Sequence, residues 1–161
     1  MRASVLFEPG KPLEVEDVYL APPQADEVVV QMTASGVCHS CLHTADGSWT
    51  GFPMPMVLGD EGAGIVEDVG SGVKHLKPGD HVILSWAPSC GICHYCVTGK
   101  SVLCEKQAPG RGVLFDGTTR MSLKGKPVYH YGPVSSYASH AVVPSSCAIP
   151  IREDMPLEKA A

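Results

Sequence analysis

Hydrophobic positions in this chain come in short runs broken by Gly and Pro, and no long stretch has a helical period. Arg2 to Phe7, Leu13 to Leu20 and Glu27 to Ala34 are rich in Val, Leu and Tyr, and Glu8-Pro9-Gly10 and Pro22-Pro23 punctuate them. Runs of this kind closed by turn formers predict consecutive strands. Further strands are expected at Gly64 to Val69, His81 to Ser85 and Tyr137 to Val143, with Lys77-Pro78-Gly79-Asp80 as the turn into the second of these. Helix signals are few: one or two turns after Cys38, and another over Tyr95 to Thr98 with Gly99 at its end. Ala108 to Gly132 has scattered Gly and little periodicity, and reads as a long loop with room for one hairpin.

Composition narrows the class. A chain of 161 residues with 44% hydrophobic content can bury one good core, so a single soluble domain spanning 1–161 is expected. Its 17 Gly and 14 Pro favour a β-rich, turn-rich domain over a helical bundle. A net charge of −5 argues against nucleic-acid or anionic-membrane surfaces, and no stretch approaches the roughly 20 apolar residues of a membrane helix. Small molecules are the expected partners, with no nucleic acid and no membrane. Met1 to Phe7 holds one Arg and no long apolar run, so it does not read as a signal peptide, and a cytoplasmic location is expected.

Cys90, Cys93, Cys96 and Cys104 stand in the pattern C-x2-C-x2-C-x7-C. Four thiolates complete the tetrahedral shell of Zn²⁺ and leave no position for substrate, so the pattern predicts a structural zinc lobe over about residues 88–106. Pro88, Gly91 and Gly99 supply its turns. Disulfides fit poorly with a reducing compartment, whereas an iron–sulfur cluster stays open because the spacing is close to some ferredoxin patterns.

A second concentration of chemistry lies in Gly36-Val37-Cys38-His39-Ser40-Cys41-Leu42-His43 and in Leu58-Gly59-Asp60-Glu61-Gly62-Ala63-Gly64-Ile65-Val66. A thiol, a hydroxyl, imidazoles and adjacent carboxylates between glycines form the inventory of a catalytic zinc site. These two stretches, the cysteine lobe and the tail Tyr137 to Val143 resemble the N-terminal catalytic domain of the zinc-dependent medium-chain alcohol dehydrogenases. Asp116-Gly117-Thr118-Thr119-Arg120 and Gly125-Lys126-Pro127 resemble the branch with the liver-type, glutathione-dependent formaldehyde and aryl-alcohol enzymes.

The resemblance implies a mainly β fold, a GroES-like, partly open β-barrel with short helices and a loop-rich zinc lobe. It implies an oxidoreductase that converts an alcohol to an aldehyde or ketone and passes hydride to NAD(P). Cys38 matches a catalytic zinc ligand, Ser40 the hydroxyl on the alcohol, and His43 the histidine that passes the proton to solvent. Glu61 matches a glutamate behind the zinc, and His39 a residue facing the cofactor pyrophosphate. Trp49 and Trp86 fall at substrate-pocket walls, although either ring could equally be core.

Two positions depart from the family pattern. Asp60 stands where the family has a ligating His, and Cys41 where it has an Asp that orients that His. Asp60 can ligate zinc through oxygen, but an added anion lowers the metal's Lewis acidity and raises the pKa of a bound alcohol. A carboxylate at position 41 would repel Asp60, so the two changes are mutually consistent. Cys41 as an additional soft ligand stays open. Cys147 reads as a buried apolar thiol, and His75, His81, His94, His130 and His140 as surface or packing residues.

No G-x-G-x-x-G occurs, so the family's Rossmann domain and its third catalytic ligand, a Cys, are expected to be absent from this chain. The chain alone is therefore expected to be inactive, with structural zinc bound and the Cys38–Asp60 site weakly filled or empty. The complete enzyme is expected to be a homo-dimer or tetramer. The alternative function is a catalytically dead, zinc-stabilised binding module.

Overall fold

The computed structural model describes residues 1–106 and 108–161 and has the expected mainly β, nearly closed barrel architecture. Among the described residues there are eleven strands in two sheets. Those of the first are β1 (Arg2–Leu6), β2 (Glu14–Asp17), β3 (Tyr19–Leu20), β5 (Met56–Val57), β8 (Met121–Leu123) and β9 (Lys126–His130), in the order β2-β1-β5-β9-β8-β3. The two edge strands, β2 and β3, are consecutive in the chain and joined by Val18 alone. One extended segment thus pairs with β1 at one end and β8 at the other, which curls the sheet into a barrel.

The second sheet holds β4 (Glu27–Ala34), β6 (Gly62–Val69), β7 (His81–Leu84), β10 (His140–Pro144) and β11 (Ala148–Pro150), in the order β10-β4-β6-β7-β11. Its Val28, Val30, Val66, Val82 and Val143 pack into one core cluster. These branched side chains suit a pleated, buried surface.

Most expected strands lie within a residue or two of the observed ones. The expected run Leu13 to Leu20 divides at Val18, whose N–H bonds the Met1 carbonyl. The run from Tyr137 starts pairing as a strand at His140, and Ala138 makes only an isolated bridge to Ala3. The long loop contains the hairpin β8–β9, turned by Lys124 and Gly125 at φ 52° and 77°. Two successive positive φ values match the right-handed strand twist of a tight hairpin.

Helices are short: α1 (His39–Asp46), α2 (His94–Val97) and α3 (Leu157–Ala160). Gly47 ends α1 in the left-handed region at φ 86°, where a residue lacking Cβ is favoured. α1 buries Cys41 and Thr44, one helical turn apart. Cys41 joins Leu6, Met56, Leu58 and Tyr131 in a separate core cluster, which anchors the helix bearing the candidate site. Among the described residues, no helix is long and apolar enough to cross a membrane.

Candidate functional site

The four lobe cysteines converge, with their sulfurs within 4.8 Å of one another. Zinc–sulfur bonds of roughly 2.3 Å place tetrahedral sulfurs about 3.8 Å apart, and Cys90 and Cys96 Sγ stand 3.9 Å apart. Backbone N–H groups of Cys93 and Lys106 donate to Cys90 and Cys104 sulfurs at 3.4 Å each. N–H groups of Ile92 and Cys93 draw the Cys90 thiol down to about 6, while burial pushes Cys96 up to about 11. A divalent metal deprotonates such a set outright. The donors and their spacing fit a closed zinc site.

The second cluster is built from α1 and the turn between β5 and β6. Cys38 caps α1 in extended conformation, φ −72° and ψ 143°, which aims its sulfur beside the helix start. Across from it, Leu58 and Gly59 carbonyls accept the N–H groups of Tyr137 and Ser136 at 3.0 and 3.1 Å. The Glu61 carbonyl accepts the Ser136 and Ser35 hydroxyls at 2.6 and 2.9 Å. Gly59 sits at φ 101°, and a Cβ there would meet Ser136 and Tyr137. This stitching presents Asp60 and Glu61 to Cys38, and ligand atoms of all three lie within 4.8 Å. A Cβ on Gly36 would collide with the Glu61 carboxylate, so Gly36 leaves it room.

Ser40 Oγ lies 2.7 Å from Asp60 Oδ2 and 3.1 Å from the Cys38 sulfur, positioned to donate to either. The Cys41 thiol donates to Asp60 Oδ1 at 3.5 Å. Burial first, then the Asp60 charge, raises the Cys41 pKa. One soft sulfur and two carboxylates beside an open cavity are donors suited to zinc with a free position.

That cavity, about 410 Å³, is lined by Cys38, Ser40, Trp49, Phe52, Asp60, Trp86, Tyr131 and Gly132. Trp49 and Trp86 are 48% and 60% exposed, so neither ring is core. His43, one turn beyond Ser40, lies with its ring 4.6 Å from His39 and 5.5 Å from Trp49. His43 Nδ1 is buried with no hydrogen-bond partner among the described residues. His39 is exposed at the first helical position.

Cys147 is fully buried, and burial pushes its thiol up to about 12. His130, read from sequence as surface or packing, is buried in a polar network. The Arg120 N–H donates to its Nε2 at 3.1 Å, and Ser135 Oγ lies 3.4 Å from Nδ1. Arg120 in turn donates to Glu27 at 2.8 and 2.6 Å and to Asp116 at 2.8 Å. The walls Phe52, Tyr131 and Gly132 escaped sequence reasoning because they lie in segments without periodicity.

Comparison with known proteins gives the same architecture. The Drosophila melanogaster alcohol dehydrogenase class-3 is 45% identical over 160 residues, covering 98% of this chain and 42% of that protein. The crystal structure of an alcohol dehydrogenase zinc-binding domain protein from Burkholderia ambifaria matches with a TM-score of 0.87 and 36% identity, covering 98% of this chain and 43% of that one. Benzyl alcohol dehydrogenase from Acinetobacter calcoaceticus matches with a TM-score of 0.87 and 32% identity, covering 99% and 43%. The chain spans about two fifths of the length of these relatives. Residues 24–153 match the alcohol dehydrogenase GroES-like domain, and with the barrel, the cysteine lobe and the Cys38 cluster in place, the chain belongs to that family.

Proposed function

We propose that this chain forms the substrate-binding part of a zinc-dependent alcohol dehydrogenase that oxidises a small alcohol to an aldehyde or ketone with NAD(P). The observation that carries this reading is the junction of a Cys38–Asp60–Glu61 ligand cluster with a cavity walled by Trp49, Phe52, Trp86 and Tyr131. Cys38 and Asp60 would hold the metal, with Glu61 behind them. When bound, zinc supplies Lewis acidity that makes an alcohol hydroxyl acidic, and nicotinamide accepts the hydride.

The protein's own residues handle position and protons. Aromatic walls favour flat or slender apolar alcohols and exclude water from the carbinol carbon. Ser40 lines the cavity with its hydroxyl beside Cys38 and Asp60, so it can turn to accept the alcohol proton. His43, one turn along α1 from Ser40, carries that proton outward; its Nδ1 is buried with no hydrogen-bond partner among the described residues, so it holds acceptor or donor capacity that nothing else in the fold uses. His39, exposed at the start of α1, offers an imidazole donor to the phosphates of the dinucleotide. Cys90, Cys93, Cys96 and Cys104 would hold a structural zinc whose four thiolates leave no position for substrate.

The chain's two tryptophans both line the cavity, so its tryptophan fluorescence reports on that site. Titrating the zinc-loaded protein with benzyl alcohol and 1-butanol should give a saturable fluorescence change, and Cys38→Ala should remove it. The activity readout, alcohol-dependent reduction of NAD⁺ or NADP⁺, uses this chain joined to a dinucleotide-binding domain. A folded, zinc-loaded protein that neither binds nor oxidises any alcohol would overturn this reading in favour of a zinc-stabilised binding module.

A further inference from the structure

The first turn of α1 carries a second chemistry. Cys38-His39-Ser40-Cys41 is a C-x-x-C sequence, with Cys38 at the cap and Cys41 at the third helical position. The Cys41 N–H donates to the Cys38 carbonyl at 3.1 Å. A turn closed in this way holds its end Cα atoms within about 7 Å, and disulfides bridge Cα separations of roughly 4.4–6.8 Å. Both cysteines are reduced.

Their surroundings are unequal in a way that assigns roles. Cys38 is half-buried and faces the cavity, open to a small solute. Cys41 is 3% exposed, against Leu6, Met56 and Leu58, and its thiol points to Asp60 Oδ1. The one carboxylate therefore touches Cys41 directly and reaches Cys38 through the shared Ser40 hydroxyl.

We propose that Cys38 and Cys41 form a redox-active dithiol that a peroxide converts into an intramolecular disulfide. The Cys38 sulfur attacks the O–O bond, becoming a sulfenic acid as one water leaves. The Cys41 sulfur then displaces the hydroxyl from Cys38, forming the S–S bond and releasing a second water. Asp60 Oδ1 relays the Cys41 proton to the departing oxygen. In sum, two thiols lose two electrons and one peroxide becomes two waters. The order follows from burial: Cys38 lines the cavity and meets the peroxide first, and the inner Cys41, 3% exposed, resolves what the outer sulfur begins. The disulfide also withdraws Cys38 from the metal cluster, a consequence that rests on the proposed alcohol site.

Trypsin isolates this pair. No Lys or Arg lies between Pro12 and Val73, and Lys11 precedes Pro12, so Cys38 and Cys41 share the fragment 3–74 apart from the other cysteines. The full chain, zinc-loaded in its lobe, is exposed to hydrogen peroxide, acid-quenched and digested. The fragment should lose two hydrogens, regain them with dithiothreitol, and show about tenfold or greater loss of iodoacetamide labelling when oxidised. Cys41→Ser should form no such disulfide and should accumulate a dimedone-reactive sulfenic acid at Cys38. Cys41→Ala gives the same readout should serine disturb the core. Sulfinic acid at Cys38 with Cys41 still labelled, or fragment 3–74 linked to another fragment, would overturn the proposal. A disulfide in a protein that binds no alcohol removes only the alcohol reading; alcohol binding without a disulfide removes only this one.

Discussion

Ser40 Oγ stands 2.7 Å from Asp60 Oδ2 and 3.1 Å from the Cys38 sulfur, so one hydroxyl joins the start of α1 to the β5–β6 turn. A hydrogen-bonding partner that orients metal ligands typically contributes 10–100-fold to affinity. Ser40→Ala should therefore weaken zinc at the Cys38–Asp60 cluster by about tenfold or more while leaving the lobe zinc in place. Ser40→Thr, which keeps the hydroxyl, should restore affinity. Competition with a chromophoric chelator measures both sites, and equal affinity in Ser40→Ala and wild type would refute the bridge.

The lobe predicts a different response. It offers few buried apolar groups, with Ile92, Val97, Val102 and Leu103 all exposed, so metal must supply its order. Binding of structural zinc contributes on the order of 10 kcal/mol where it is coupled to folding. Cys93→Ser should lose one tightly held zinc per chain by elemental analysis, with faster amide exchange across residues 90–104 and little change in β4 or β6. Uniform exchange protection after zinc removal would show that the lobe folds without metal.

Acid should destabilise the fold through His130. Burial, reinforced by the nearby Arg120 charge, lowers its pKa from the ordinary 6.5 to about 3. The unfolded chain then binds a proton below pH 6.5 that the folded chain refuses until about 3. Its contribution is fully present above 6.5, falls as pH drops through that window and levels off below it. Denaturant melts of wild type should show a slope approaching about 1.4 kcal/mol per pH unit from this group. His130→Gln, which keeps an acceptor for the Arg120 N–H, should flatten it, and an unchanged slope would sink the assignment.

How far the sequence disclosed this arrangement depended on how local each signal was. The cysteine lobe was legible because its four ligands sit within fifteen residues, where spacing alone dictates convergence. Strands β1, β4, β6 and β7 were legible from short runs of Val, Leu and Ile between turn formers. β5 is two residues long, and its register is set by long-range pairing of Val57 with His130, which no local period records. The same holds for the site walls. Phe52 and Tyr131 meet with ring centroids 5.6 Å apart only after β5 and β9 pair in parallel. Asp60 stood out as chemistry, but its bond to Ser40 depends on the Ser136–Gly59 stitch.

Arg120 offers a test of a buried charge network. Its guanidinium is 4% exposed and pairs with Glu27 across 93 residues of sequence. Removing one member of such a group typically costs about 3–5 kcal/mol because the remaining charge stays buried and unpaired. Arg120→Ala should show a loss of that size, and Glu27→Gln combined with Arg120→Met should recover much of it. A double-mutant cycle checks the coupling. Asp116 also responds: burial alone would raise its pKa, but the Arg120 and Thr118 hydrogen bonds hold it at about 2. Its contribution is therefore present above about pH 4 and fades as pH falls toward 2.

The two tryptophans should separate binding from stability. Trp49 and Trp86 are about half and three-fifths exposed, so truncation removes little buried area, and surface changes of this kind typically stay within about 0.5 kcal/mol. Both rings nevertheless line the 410 Å³ cavity beside Cys38 and Asp60. Trp86→Ala should therefore leave the melting curve nearly unchanged while weakening benzyl alcohol binding by roughly 5- to 30-fold, the range for losing one aromatic wall contact of about 1–2 kcal/mol. Trp49→Ala should do likewise and should also change the His43 environment, because the Trp49 ring packs 5.5 Å from that imidazole. The single-tryptophan variants report through the remaining indole, so binding stays measurable in each. A large stability loss with unchanged alcohol binding would place these rings in the core and move the substrate elsewhere.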